Sequence, residues 1–158
     1  PIQYHQDPQG IVTLTLDRPD RLNALTFEAY DELRRTVDAL SDHEATRVVV
    51  LTGEGKGFCS GGDVFEIIEP LLSRDTKGLL EFTEMTGDAV KAMRACPQPI
   101  IAAVDGLATA GGCEIVLAAD DRREFGPEHL HRHLAVVLEV FGQVHDGHSA
   151  LAQAVDER

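Results

Sequence analysis

The sequence predicts an α/β fold with a mainly parallel sheet and flanking helices. Residues 48–51 and 100–104 are short, wholly apolar runs, which are typical of strands buried on both faces of a parallel sheet. Segments with helical periodicity lie before and between these runs. Such alternation of strands and helices indicates an α/β protein.

The first predicted strand covers residues 11–16, where β-branched and apolar residues alternate. Residues 17–20 break this strand, and Thr26 is a predicted N-cap for a helix that runs to about Leu40. One side of that helix carries residues at helical spacing: Phe27, Tyr30, Leu33, Val37 and Leu40.

After the apolar run at 48–51, residues 53–62 are predicted to form one continuous loop. Asp63 begins a short helix toward Ile68, and Pro70 is expected to end it. A longer amphipathic helix is predicted over residues 76–95, stopped by the two prolines that follow.

The last predicted strand, at residues 100–104, precedes a turn rich in small residues at 105–112. Residues 113–119 are then predicted to form a helix. The two loops at 57–63 and 106–114 therefore each follow a strand and lead into a helix.

Composition limits the classes of function. The length of 158 residues is sufficient for one domain with a core, and the formal net charge of −13 argues against nucleic acid as a partner. No apolar run approaches the roughly 18 residues of a membrane span, and the polar first ten residues contain no targeting signal, so we expect a cytoplasmic protein. The three cysteines form no CxxC pair, which favours packed, reduced thiols over disulfides or a zinc site.

The two loops are candidates for binding a carbonyl oxygen. Glycines allow a ligand to approach the backbone, and a helix N-terminus presents free N–H groups that favour negative charge. Two such loops that converged would form an oxyanion hole. The alternative is that the glycines only make turns. Neither loop matches a dinucleotide or P-loop motif.

The motifs along residues 10–121 resemble those of the enoyl-CoA hydratase/isomerase (crotonase) family, in order and approximate spacing. They are Asp17-Arg-Pro with Asn23-Ala-Leu, Val50-Leu-Thr-Gly, Gly57-Phe-Cys-Ser-Gly-Gly-Asp, Pro99-Ile-Ile-Ala-Ala-Val-Asp-Gly and Gly111-Gly-Cys-Glu. The resemblance implies a ClpP/crotonase-like fold and an acyl-CoA thioester substrate whose enolate is stabilised by backbone N–H groups. It also implies a lyase or isomerase of fatty acid metabolism, commonly trimeric. No metal is implied and no separate cofactor, since coenzyme A is part of the substrate.

The resemblance also implies roles for particular residues. Ser60 and Gly111 match the two oxyanion-hole positions and would act through their N–H groups. Glu114 matches the first of two catalytic glutamates of the family's hydratases. The alternative for Glu114 is a solvated carboxylate that stabilises a helix dipole. The implied substrate-binding residues are Arg21, Leu22, Ala24, Ser60, Gly61, Gly62, Asp63, Val64, Leu107, Gly111 and Glu114.

The character of the sequence changes near Asp120, which divides a core at residues 1–121 from an atypical tail at 122–158. Five of the seven histidines lie in the last thirty residues. The C-terminal part of the family's fold is therefore expected to be missing or replaced, by truncation or a shift of reading frame. Glu128 faintly resembles the second hydratase glutamate but follows Glu114 too closely. Alternating histidines at 129–133 suggest a metal site, but a solvated polar tail is favoured because no acidic or cysteine partner accompanies them.

Three functions remain open from the sequence. The first is an acyl-CoA hydratase or isomerase, and the second is a catalytically inactive crotonase-like fragment that only binds. The third is a serine protease of the related Clp type using Ser60, which is disfavoured because neither His5 nor His43 lies in a triad context. Without the family's C-terminal helices, we expect poor catalysis and weak or irregular association rather than a stable trimer.

Overall fold

A computed structural model describes residues 1–120 of the chain. The predicted tail at residues 122–158 lies outside the described residues, as do Glu128 and the predicted alternatives for His129, His131 and His133. The division into a core and a tail therefore stays a prediction.

The described part alternates strands and helices. The strands are β1 (Ile2–Gln6), β2 (Ile11–Leu16), β3 (Val48–Gly53), β4 (Gly57–Cys59), β5 (Ile100–Ala102) and β6 (Leu107–Ala108). The helices are α1 (Phe27–Ser41), α2 (Glu69–Leu72), α3 (Thr76–Ala95) and α4 (Gly111–Asp120), with a 3₁₀ turn at Pro19–Arg21 and a π-helical turn at Val64–Ile68.

The main sheet has the strand order β1-β2-β3-β5. Strand β3 pairs in parallel with both β2 and β5, and Val49 is the register partner of Ile100. The predicted adjacency of the two apolar runs, and the mainly parallel α/β class, are therefore confirmed. The prediction that both faces of these strands are buried is wrong. Val49 and Leu51 are fully buried, whereas Ile101 is 49% exposed. Successive side chains of a strand point to opposite faces, so Ile101 lies on the face away from the core.

Strand β1 was not predicted, because its sequence IQYHQ is polar and lacks apolar alternation. It lies at the edge of the sheet, antiparallel to β2, and its three central residues are exposed. The hydrogen bonds of the ladder and the packing of the half-buried Ile2 against the core hold it in place.

Helices α1 and α3 form where predicted. The Thr26 hydroxyl caps α1 by accepting a hydrogen bond from the Ala29 N–H at 3.1 Å, and Asp75 caps α3 in the same way. The core joins apolar side chains of the sheet and the helices, including Val12, Leu14, Leu33, Val37, Val49, Leu51, Met93 and Ile115.

The structure differs from the predicted elements in several places. Strand β5 ends at Ala102, whereas the apolar run was predicted as a strand to residue 104. Strands β4 and β6 form within segments predicted as loops, because they are too short and glycine-rich to show a strand pattern. Helix α4 begins at Gly111, two residues earlier than predicted. Pro70 does not end a helix but lies in the first turn of α2, where its missing N–H is not required.

The cysteines are free, with Cys59 and Cys96 buried and Cys113 partly buried, as the packed-thiol interpretation predicts. Burial raises the pKa of the Cys59 thiol to about 11, so it is an unreactive core residue. Within residues 1–120, no cluster of three or more His, Cys, Asp or Glu side chains is arranged to bind a metal ion. None of the helices in that range has the length and hydropathy needed to cross a membrane.

Candidate active site

The two glycine-rich loops meet because the strands that precede them pair. Strands β4 and β6 are parallel, with Cys59 opposite Ala108. Beyond this pair, the Thr109 N–H donates to the Cys59 carbonyl and the Thr109 hydroxyl donates to the Ser60 carbonyl, both at 3.0 Å. The loop after β4 is thereby attached to the loop that leads into α4.

A third segment, residues 22–25, is joined to the first loop. The Leu25 N–H donates to the Gly61 carbonyl at 2.7 Å, and the Asp63 N–H donates to the Leu25 carbonyl at 2.8 Å. The buried Asn23 amide donates to the carbonyl of Gly57 at 2.7 Å. Three motifs that are distant in the sequence therefore form one continuous backbone network.

Glycine at position 61 allows the close approach of the loops. Gly61 has a φ of +96°, and a Cβ there would lie 2.8 Å from Ala110 Cβ and 3.5 Å from the Gly111 nitrogen. A larger residue would separate the loops as well as strain the backbone. The first loop therefore lies directly against the N-terminus of α4.

Of the two predicted oxyanion donors, one already has a hydrogen-bond acceptor and the other does not. Within residues 1–120 the Gly111 N–H has no acceptor, as expected for the first residue of a helix. The Ser60 N–H instead donates to the Leu22 carbonyl at 2.9 Å. The expectation that both N–H groups point at one open position therefore does not describe this structure, because one donor is already occupied.

Glu114 lies in the first turn of α4 and its side chain is exposed. Its backbone N–H donates to the Ala110 carbonyl at 3.1 Å, which fixes the start of the helix beside the two loops. This position is compatible with both predicted alternatives, a catalytic carboxylate and a carboxylate that stabilises the helix dipole.

We call the place where residues 22–25, the loop at 57–63 and the loop at 106–114 meet the loop junction. The remaining predicted substrate-binding residues surround it, and they differ in how far they are exposed to solvent. Arg21 lies with its guanidinium 5.8 Å from the centre of the Phe65 ring. Leu22 and Val64 are 42% and 60% exposed. Ala24 is only 8% exposed, so its methyl group packs into the protein rather than toward a ligand. Gly62 and Leu107 are half-buried.

Asp63 organises the turn that follows the first loop. Its carboxylate is buried, caps the π-helical turn by accepting from the N–H groups of Phe65 and Glu66, and lies 3.1 Å from the Arg18 guanidinium. The hydrogen bond from the Glu66 N–H, with that of Phe65 and the charge of Arg18, lowers the pKa of Asp63. Asp63 thus has a structural role that the resemblance did not imply.

The lowered pKa predicts a pH dependence of stability. Ionised Asp63 stabilises the folded state, and this stabilisation is complete above the ordinary aspartate pKa of about 4. It is lost as the pH falls through the lower pKa that Asp63 has in the folded state. We therefore expect the free energy of unfolding to decrease less steeply below about pH 4 in Asp63→Asn than in the wild type. Urea unfolding at a series of pH values measures this; parallel curves would contradict it.

Ser60 has no triad. Its hydroxyl contacts the Arg21 carbonyl at 3.4 Å, while the His43 ring bonds the Thr46 hydroxyl at 2.8 Å and His5 lies on β1. Neither histidine of the described chain is therefore hydrogen-bonded to Ser60, which removes the support for a serine protease.

Two residues near the junction were not predicted as site residues. Arg18 bridges Asp63 and Glu66, and the Asp17-Arg-Pro motif was the signal for it. Tyr30 was predicted only as a core residue of α1, yet its hydroxyl lies against Gly111. Helical periodicity shows that Tyr30 points inward, but not what its hydroxyl contacts.

The contact with Tyr30 predicts that position 111 requires glycine. A Cβ at Gly111 would overlap the Tyr30 hydroxyl oxygen and would lie 3.2 Å from Leu25 Cδ1, a tight contact that a small shift of this side chain relieves. The ring carbon that bears the hydroxyl lies 3.7 Å away, at an ordinary distance. We expect Gly111→Ala to lower the melting temperature, since overpacking costs about 1–3 kcal/mol, and a second substitution, Tyr30→Phe, to restore most of the loss. A thermal double-mutant cycle measures the coupling, and additive effects would contradict the contact.

The parallel sheet with flanking helices and the paired glycine loops define a crotonase-like α/β protein. A family model described as enoyl-CoA hydratase/isomerase matches residues 6–122. A protein from Mycobacterium bovis, named “probable enoyl-CoA hydratase echA12”, is 40% identical over 123 residues, which cover 75% of this chain and 42% of that protein. The chain therefore belongs to the enoyl-CoA hydratase/isomerase family.

Solved structures give the same result for the fold. A “putative enoyl-CoA hydratase” from Streptomyces coelicolor A3(2) is 54% identical to this chain, with a TM-score of 0.71. The match covers 75% of this chain and 43% of that protein. An enoyl-CoA hydratase from Mycobacterium smegmatis is 34% identical with a TM-score of 0.69, covering 75% and 45%. The chain thus spans about two fifths of the length of the relatives it matches.

Proposed function

We propose that this chain binds an acyl-CoA thioester at the loop junction and polarises its carbonyl group toward an enolate. The observation that carries this proposal is the Gly111 N–H, which lies at the start of a ten-residue helix beside Gly61 and has no acceptor among residues 1–120. A helix N-terminus favours the negative charge that develops on the carbonyl oxygen.

The Ser60 N–H is the second donor of the family's pattern. For it to bind the thioester oxygen, the Leu22 carbonyl must first turn away from it. Leu22 and Asn23 both have positive φ, at 49° and 55°. These conformations are costly for residues other than glycine, so a rearrangement of this segment would also release backbone strain.

The surface around the junction supports an acyl substrate. Leu22, Val64, Phe65 and Ile68 are apolar and between 42% and 64% exposed. An acyl chain that covered them would remove this surface from water. Arg21 lies at the same rim and supplies a local positive charge, which an anionic coenzyme needs on a chain with a net charge of −13.

We assign Glu114 as the carboxylate that activates water in hydration, with a second glutamate needed to protonate the α-carbon. A binding protein without turnover is the second candidate, because the chain spans about 42% of its relatives and residues 1–120 contain no recognisable counterpart of the second glutamate. A role in fatty acid metabolism remains an expectation drawn from the family, and a cytoplasmic location remains one drawn from the composition. The family is commonly trimeric, whereas weak or irregular association is expected of this chain.

Calorimetric titration of the 158-residue chain with hexanoyl-CoA, and separately with coenzyme A, tests the proposal. We expect hexanoyl-CoA to bind more tightly, since only it offers a thioester carbonyl and an apolar chain. Equal affinity for the two compounds, or no binding of either, would sink the proposed function. Hydration of a short enoyl-CoA, followed by ultraviolet absorbance, then separates a catalyst from a binding protein.

A further inference from the structure

Tyr30 carries a buried hydroxyl that has no hydrogen-bond partner in the described part of the chain. The residue is 4% exposed, and no acceptor or donor within residues 1–120 bonds its oxygen. The other tyrosine, Tyr4, is 50% exposed and donates to the Gln6 side chain at 3.0 Å. Buried hydroxyls in proteins are almost always hydrogen-bonded, so the state of Tyr30 requires an explanation.

The surroundings of Tyr30 fix where its hydroxyl points. The ring lies on α1 and packs edge-on against Phe82 of α3, with 6.4 Å between ring centres. Its oxygen lies so close to Gly111 that no side chain fits there. Two unpartnered donors, the Tyr30 hydroxyl and the Gly111 N–H, therefore meet at the N-terminus of α4.

With the Ser60 N–H bonded to the Leu22 carbonyl, the Tyr30 hydroxyl and the Gly111 N–H are two neighbouring donors that have no acceptor within residues 1–120. We propose that the Tyr30 hydroxyl is a catalytic residue that donates a hydrogen bond to the thioester oxygen of the bound acyl-CoA, alongside the Gly111 N–H. This inference rests on the proposed function. It requires no proton transfer, because the phenol keeps its proton while negative charge develops on the oxygen.

The protonation state of Tyr30 is compatible with this role. Burial, followed by the nearby carboxylate of Glu114 and the neighbouring thiol of Cys59, which is charged only at high pH, raises the pKa of Tyr30 well above its ordinary value. The group is therefore a neutral donor at neutral pH. A neutral donor stabilises the developing enolate without adding a buried positive charge.

The first part of the test measures stability without ligand. Tyr30→Phe removes a hydroxyl that has no partner, so we expect an unchanged or higher melting temperature. Tyr4→Phe is the matched control, since Tyr4 is exposed and distant from the junction in sequence. A clear decrease in the melting temperature for Tyr30→Phe would show a structural partner for the hydroxyl and would overturn the proposal.

The second part measures the thioester itself. We expect Tyr30→Phe to weaken hexanoyl-CoA binding by about 2- to 10-fold, the net effect of one hydrogen bond, without changing the affinity for coenzyme A. With a ¹³C-labelled thioester carbonyl, infrared difference spectra of wild type should show a shift of the C=O stretch to lower frequency on binding. Tyr30→Phe should reduce this shift, and Tyr4→Phe should preserve it.

The outcomes separate this inference from the proposed function. If the wild type binds hexanoyl-CoA more tightly than coenzyme A but Tyr30→Phe retains both the affinity and the carbonyl shift, the role of Tyr30 is wrong and the proposed function stands. If the wild type shows no preference for the thioester, both fail together.

Discussion

Proline at position 111 is expected to weaken the binding of an acyl-CoA enolate by roughly 10- to 100-fold relative to alanine at the same position. The Gly111 N–H has no acceptor within the described residues and lies where the oxyanion is proposed to bind. Proline deletes this donor, whereas alanine keeps it. Hydrogen bonds to charged groups contribute about 1.5–3 kcal/mol, which sets the expected range.

The comparison has to be made in a Tyr30→Phe background. Both alanine and proline add a Cβ that would overlap the Tyr30 hydroxyl, so either substitution in the wild type would mix a steric effect with the loss of the donor. Proline is tolerated in the first turn of a helix, so α4 should still form.

Acetoacetyl-CoA is a suitable probe, because its enolate has its own near-ultraviolet absorbance. Equal formation of the bound enolate in Gly111→Pro/Tyr30→Phe and Gly111→Ala/Tyr30→Phe would exclude the Gly111 N–H as an oxyanion donor. Circular dichroism of the two variants checks that the fold is retained.

Restoring a family-typical C-terminal half after Asp120 is expected to raise hydratase activity by the largest factor of any change. The chain as given should hydrate a short enoyl-CoA near the background rate, because it offers Glu114 but no recognisable second carboxylate in residues 1–120. One positioned general acid or base contributes roughly 10²–10⁴ in rate.

The direct measurement compares the 158-residue chain with a chimera that carries the C-terminal half of the Streptomyces coelicolor relative. In the chimera, Glu114→Gln should reduce the rate by about 10²–10⁴, with little change in acyl-CoA affinity. Robust turnover by the original chain, abolished both by Glu114→Gln and by Glu128→Gln, would instead identify Glu128 as the second carboxylate.

Much of the central fold follows from the sequence. The apolar runs that became β3 and β5 are strong local patterns whose meaning does not depend on distant residues. The same holds for α1, where four of the five predicted inward-facing residues are buried and the fifth, Phe27, is partly buried. Thr26 was recognisable as a cap because capping is a contact between near neighbours. The order of these elements was sufficient to predict a parallel α/β sheet.

The short and polar elements were not predictable in this way. Strand β1 has no apolar alternation, and β4 and β6 are three and two residues long. Such strands are stabilised by the partner that completes their hydrogen bonds. The partner of β4 lies about fifty residues away, so no local pattern indicates it.

The candidate site depends on the same long-range pairing. The sequence alone identified Ser60, Gly111 and Glu114 as residues of interest, by their motifs and by resemblance to a family. Only the tertiary structure shows that the two loops lie together and that the Ser60 N–H donates a hydrogen bond to the Leu22 carbonyl. It also shows that the Tyr30 hydroxyl lies against Gly111. The physical reason is that a motif specifies residue types, whereas the direction and availability of a hydrogen-bond donor are set by whichever atoms the fold places next to it.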